Sequence, residues 1–303
     1  MVGGAVRIRK HIASLLSLDR WITPLLNLGS LLLNAIPARL MYALADIGGT
    51  ITYWGWPDKR QAALANYRVA LGEAVSSASL AKTTRGSFRT YARMILDVLR
   101  LRTMPFERLR HLIHLEGLEH LEAGIARGKG IIAVLPHAGN WEPASNIIAF
   151  LPYRFLAVVD EGVVSRAVAS SRQRAGLDVV EQSKAARPTI RALRQNAVVI
   201  LVADLVKDFR AARVELFGRE TYLPAGPAYL AVRTGATVIP VIAIRQPDNT
   251  SVITVEPPLY PDPTANPVEE AHRISQAIAD YFERVIQGHP KQWYPYRRLW
   301  SEA

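Results

Sequence analysis

The sequence predicts an α/β fold: a central, mostly parallel mixed sheet flanked by helices, preceded by an N-terminal helical segment suited to a membrane interface. Three observations carry this. Short apolar, β-branched runs alternate with helix-length segments from about residue 115 onward, the pattern of a largely parallel sheet covered on both faces. The last two runs are parted by Pro247-Asp248-Asn249, which suits an antiparallel hairpin at one side of the sheet. The first 57 residues, in contrast, carry long stretches with almost no charge.

A chain of 303 residues is expected to divide into a membrane-interface helical segment, residues 1–57, and an α/β domain, residues 58–303. Hydrophobic residues make up 50% of it, enough for a core with some surplus to face a membrane or an acyl chain. Cysteine is absent, which excludes disulfides, thiolate metal sites and a cysteine nucleophile and agrees with a cytosolic face. The formal charge of +11 calls for an anionic partner. Its arginines are scattered singly among apolar residues, without a basic block, zinc-finger spacing or RNA-binding aromatic signature. An anionic membrane surface or a phosphate-bearing ligand therefore fits better than nucleic acid.

Between Trp21 and Ala38 there is no charged residue, but Pro24, Asn27, Gly29, Ser30, Asn34 and Pro37 interrupt the run. Its apolar pieces fall well short of the ~20 residues that span a bilayer, and no signal-peptide cleavage pattern follows. Leu40–Pro57 contains Tyr42, Tyr53, Trp54 and Trp56, with Asp46 as its single charge. Aromatic rings favour the headgroup level, and Arg7, Arg9, Lys10, Arg20 and Arg39 flank these segments with positive charge. The expectation is peripheral attachment at the cytoplasmic face of the plasma (inner) membrane. The plainer alternative is a helical hairpin packed on the core.

Lys59–Leu71 and Leu80–Leu101 have helical periodicity; in the second, Phe88, Tyr91, Met94, Ile95, Val98, Leu99 and Leu101 form the apolar stripe. Leu115–Arg127 reads as a strand-to-helix entry turning at Gly117. Ile131–Leu135 reads as a buried strand. Further strands are expected at Phe155–Val159, Val179–Glu181, Val198–Val202, Val214–Phe217, Thr237–Ile244 and Ser251–Glu256. Helices are expected at Glu142–Phe150, Val163–Ala175, Ala186–Gln195, Pro227–Thr234 and Val268–Gln287. Pro257, Pro258, Pro261, Pro263 and Pro267 make a stiff connector before the last helix.

The chemistry-bearing stretch is Pro136-His137-Ala138-Gly139-Asn140-Trp141-Glu142-Pro143, a tight turn between strand and helix start. A carboxylate that bends back to the imidazole would fix its tautomer and raise its basicity. The residues alone leave two readings open: a brace of the turn, or a base. Competing chemistries lack their motifs: there is no G-x-S-x-G elbow, P-loop, strand-linked G-x-G-x-x-G or H-E-x-x-H, so no metal site is expected. A histidine with no protein nucleophile beside it suits direct attack by a substrate hydroxyl on an activated acyl group.

His137-Ala138-Gly139-Asn140-Trp141-Glu142 resembles the His-x4-Asp/Glu box of glycerolipid-type acyltransferases, in the form found in the bacterial lipid A lauroyl/myristoyl transferases and phosphatidylinositol mannoside acyltransferases. Other boxes are similar in the same order: Arg60–Gly72 with Asn66-Tyr67, Ser87–Leu101 with Asp97, Leu216–Pro240 with Gly226-Pro227, and His289–Arg298 with Gln292-Trp293-Tyr294. The resemblance covers about residues 60–300. It implies transfer of a fatty acyl group from acyl-CoA or an acyl carrier protein to a glycolipid hydroxyl, with no bound cofactor. His137 would be the general base and Glu142 its orienting partner. Asn140, Trp141, Arg166, Arg172, Asp204 and Gly226 would meet substrate, Gly226 as a helix-start amide. The chain departs from the family pattern at Asp160-Glu161, where an arginine is usual, and at Val202-Ala203-Asp204, which keeps only the second of two acids. Arg166, Arg172 or Arg174 would then supply the missing cation. Two alternatives follow: a catalytically weakened lipid- or acyl-binding homologue, and a lysophospholipid or glycerol-phosphate acyltransferase, whose Glu-Gly-Thr-Arg box is not found near Val199–Val206.

Overall fold

The computed structural model describes residues 18–148, 150–160, 172–173, 176–206 and 211–300. Seven strands form one sheet in the order β1 (Ile113–Glu116), β9 (Ser251–Val255), β8 (Thr237–Arg245), β2 (Ile131–Leu135), β5 (Val198–Val202), β3 (Phe155–Val159), β4 (Asp178–Glu181). The pairs from β8 to β4 are parallel, β8–β9 is antiparallel, and β1 lies parallel to β9. The fold is thus the expected α/β, with a mostly parallel mixed sheet. Every residue of β2 is buried, as its unbroken apolar run requires at the centre of a sheet covered on both sides.

Alternation along the strands sorts two cores. Ile132, Val134, Leu156, Val199 and Val238 face α8 (Ala186–Arg194), α9 (Gly226–Thr234) and α10 (Pro267–Gly288). Ile131, Ala133, Phe155, Ala157, Val198 and Ile239 face the opposite way, toward α6 (Leu118–Ala126) and α7 (Trp141–Ile148). Helix α10 starts on the connector prolines: Pro267 takes the first turn and Asn266 Oδ1 accepts from the Val268 N–H at 2.9 Å.

Among the described residues four helices precede the sheet: α1 (Leu18–Ala35), α2 (Ala38–Gly55), α3 (Pro57–Leu71) and α4 (Ser77–Arg100), with the single turn α5 (Phe106–Leu109) after them. Helix α2 lies tightly on α4, because a Cβ at Gly49 would come within 2.6 Å of the α4 backbone at Phe88 and Arg89. Asp46, the one charge in its run, is held by Arg93 through bonds of 2.6 and 2.7 Å.

Two elements differ from expectation. Arg219–Pro224 is a strand, β7, which pairs antiparallel with β6 (Ala211–Leu216) in a separate two-stranded sheet. Its polar sequence hides it, while Phe217 and Gly218 both adopt positive φ to make the turn. The late hairpin sits at one side of the sheet, but β1 forms the edge beyond it. The expected helix Val163–Ala175 falls largely outside the described residues.

Candidate active site

The register of two neighbouring strands creates the site. Leu135 at the end of β2 stands opposite Val202 at the end of β5, and the Ala203 N–H donates to the Leu135 carbonyl at 2.9 Å. Two residues beyond each strand, His137 and Asp204 meet at the carboxyl edge of the sheet. Ligands of open α/β sheets commonly bind at this edge.

The Asp204 carboxylate grips His137 twice. Oδ2 accepts the His137 backbone N–H at 2.8 Å, and Oδ1 lies 2.5 Å from Nδ1. Asp204 is buried while the His137 side chain keeps 30% exposure. An ionised carboxylate only accepts, so in the neutral imidazole this contact favours the tautomer with the proton on Nδ1 and the lone pair on Nε2.

The turn itself is locked from the carboxyl-terminal segment. The Gly139 N–H donates to the Gln292 carbonyl at 2.6 Å, the Tyr294 N–H to the His137 carbonyl at 2.9 Å, and Tyr294 Oη to the Gly139 carbonyl at 3.0 Å. Gly139 has φ +73°, and a Cβ there would lie 2.0 Å from the Ala243 carbonyl oxygen; the box needs glycine for both reasons. The carboxyl-terminal segment is tied in turn to α3: Asn66 Nδ2 donates to the Pro295 carbonyl at 2.9 Å and Tyr67 Oη to the Trp293 carbonyl at 2.7 Å.

The expected His137–Glu142 pair does not form. Glu142 sits in the first turn of α7, where its Oε1 accepts from Trp141 Nε1 at 3.0 Å and from Arg172 Nη2 at 2.5 Å. Asp204, expected at the substrate, takes the place beside the imidazole instead. Asn140, also expected there, is only 3% exposed. Its amide donates to Ser251 Oγ at 2.9 Å and Asp97 Oδ2 at 3.2 Å and accepts from Arg245 Nη2 at 3.1 Å. Trp141 stands edge-on to His137, ring centroids 5.7 Å apart. Gly226 opens α9 with nothing within 4 Å of its missing side chain. Arg166 and Arg174 lie outside the described residues.

Beneath the turn a narrow apolar cavity of about 90 Å³ crosses the sheet face, with Trp141 and Arg172 lining it at the Glu142 end. Ala133, Ala144, Ala157 and Ala243 leave the space that larger side chains would fill. A slot so lined favours a slim apolar occupant over water. The sequence carried Asp97, Gln292 and Tyr294 within recognisable boxes, but gave no sign that they brace the turn.

The class follows at this point: the chain belongs to the bacterial lipid A biosynthesis acyltransferase family, whose profile matches residues 9–302. It is an acyltransferase of lipid biosynthesis. It is similar to the phosphatidylinositol mannoside acyltransferase of Mycobacterium tuberculosis (strain CDC 1551 / Oshkosh), 33% identical over 224 residues that cover 71% of this chain and 69% of that protein. To the phosphatidylinositol mannoside acyltransferase of Mycolicibacterium smegmatis it is 30% identical over 224 residues, 71% of each chain.

Proposed function

We propose that this acyltransferase moves a fatty acyl group from an acyl thioester, carried by CoA or an acyl carrier protein, to a hydroxyl of a glycolipid, with His137 as general base. The observation that carries this reading is the His137–Asp204 pair at the carboxyl edge of the sheet, with an apolar slot lined by Leu135 and Val202, two residues before each, and by Trp141. The acceptor hydroxyl gives its proton to Nε2 as its oxygen attacks the thioester carbonyl. Asp204 stabilises the imidazolium through Nδ1–H. Collapse of the tetrahedral intermediate breaks the C–S bond, and the imidazolium returns the proton to the departing sulfur. Such proton transfer is worth about 10²–10⁴-fold.

Arg172, anchored by Glu142, supplies a fixed cation for the developing oxyanion or for a donor phosphate. It stands in for the arginine missing at Asp160-Glu161. The Gly226 amide at the exposed start of α9 offers a second anion site. The acyl chain enters the slot past Trp141. The names of the relatives favour a phosphatidylinositol mannoside-like acceptor, and the family name a lipid A-like one.

Attachment is peripheral, at an anionic membrane on the cytoplasmic side. Leu25, Leu28, Leu31 and Leu32 on α1 and Leu40, Leu44, Ile47, Ile51 and Trp54 on α2 are all more than half exposed. No single described helix is long and apolar enough to cross a membrane; Pro24–Ala35 and Ala38–Gly55 meet at a bend of 118°. This geometry supports a hairpin lying in the interface. Transfer of a labelled acyl group from acyl-CoA or acyl carrier protein to purified glycolipid, in wild type and His137→Ala, tests the whole reading. Wild-type failure across both donors and both acceptor classes would overturn it.

A further inference from the structure

The hairpin's second helix does more than pack. Tyr42, in the midst of α2, is 4% exposed and points inward, with its Oη donating to Asp97 Oδ1 on α4 at 2.8 Å. The other oxygen, Asp97 Oδ2, accepts from Arg245 Nη2 at the end of β8 at 2.6 Å and from Asn140 Nδ2 at 3.2 Å. Asp97 and Arg245 form an ion pair with both side chains 4% exposed. Asn140 is the last residue of the His137 turn, and its N–H donates to the Ala243 carbonyl at 2.6 Å.

The cluster is expensive to bury, and its members are not all satisfied. Arg245 Nε and Nη1 are buried without an acceptor. The Tyr42 ring compensates, its centroid 5.2 Å from the guanidinium carbon, as a cation–π contact. Arg100 Nη1 also donates to Tyr42 Oη at 3.3 Å. Tyr42 therefore serves the ion pair with both its hydroxyl and its ring. A well-packed apolar group could have filled this volume at less desolvation cost. What the polar version gives is geometry: both Asp97 oxygens are committed, one to the hairpin and one to the turn.

We infer that Tyr42 is a positioning residue for the acyl-transfer reaction, through which the membrane-facing hairpin holds the His137 turn in register by way of Asp97, Asn140 and Arg245. The inference rests on His137 acting as proposed above. It makes the hairpin part of the catalytic apparatus as well as an anchor. Loss of the Tyr42 hydroxyl leaves Asp97 held by Arg245, with no partner on α2, and loosens its 3.2 Å bond to Asn140, which keeps only Ser251 and Arg245 as side-chain partners, while the helix stays docked.

The test compares wild type, Tyr42→Phe, Tyr42→Ala and His137→Ala for transfer from acyl-CoA to purified glycolipid in anionic vesicles, with flotation measured alongside. Tyr42→Phe keeps the ring and the fold. It is expected to lower kcat on the order of tenfold, with KM for the thioester and vesicle binding within about twofold of wild type. Tyr42→Ala, which also strips the π face from Arg245, is expected to lose more. Hydrogen exchange gives an activity-independent reading: a peptide covering residues 136–142 should exchange faster in Tyr42→Phe, while strands β3 and β5 keep their protection. Unchanged kcat and unchanged exchange in Tyr42→Phe would overturn the inference, as would a loss accounted for by KM or by weaker flotation. If His137→Ala retains activity, the reading of the site fails instead, whatever Tyr42 does.

Discussion

At the scale of single residues, the account turns on which carboxylate serves His137. Asp204 binds both the ring and the backbone N–H of that residue, whereas Glu142 is committed to Trp141 and Arg172. Asp204→Asn is therefore expected to lower kcat by about 10²–10⁴-fold with little change in KM, because an amide presents a donor as readily as an acceptor and releases the tautomer. Steady-state kinetics on the folded variant check this; a kcat within twofold of wild type would refute the pairing. His137 was legible in the sequence because its turn residues sit together. The pairing with Asp204 was not, because it depends on β2 lying beside β5 with Leu135 opposite Val202, and neither strand's sequence states its neighbour. Asn140 differs for a related reason: it lies three residues from His137 in the sequence, yet its side chain turns into the protein.

Elements were read best where periodicity was strong. β3 and β5 match the expected spans residue for residue, while β7 escaped because Arg219-Glu220-Thr221-Tyr222 carries no apolar run. The aromatic residues of α2 divide between its two faces. Trp54 is exposed, but Tyr42 and Tyr53 are buried against α4. A helix has two faces, and composition does not say which one a ring occupies. The outward face nevertheless carries the membrane prediction. Leu44→Ser with Ile51→Ser removes two exposed apolar side chains, each worth about 1.5–3 kcal/mol on full burial. The pair should weaken cosedimentation with anionic vesicles by more than tenfold and leave the melting temperature unchanged. Unaltered cosedimentation would place the membrane contact elsewhere.

The whole molecule brings together boxes that the sequence keeps apart. Asn66-Tyr67, Asp97, His137–Asn140 and Gln292–Tyr294 are linked by hydrogen bonds around one turn. Their order along the chain was visible; their convergence needed the fold. The slot, likewise, is a property of six strands and two helices, with alanines from three of the strands and one helix leaving room, and no local pattern announces it. Ala157, 1% exposed, lines the slot on β3. Ala157→Phe would fill it, at a packing cost of about 1–3 kcal/mol, and is expected to shift donor preference toward shorter acyl chains. A chain-length profile identical to wild type in a folded variant would show that the acyl group binds elsewhere. The charge of +11 suits the proposed attachment, since basic residues flank the hairpin in the sequence and would meet anionic lipid there.

The central claim is that His137 removes the proton from the acceptor hydroxyl. The most direct measurement is the single-turnover rate of acyl transfer to glycolipid with donor and acceptor saturating, in wild type and His137→Ala. The account predicts a fall of about 10²–10⁴-fold with donor binding preserved; transfer by His137→Ala at the wild-type rate would contradict it.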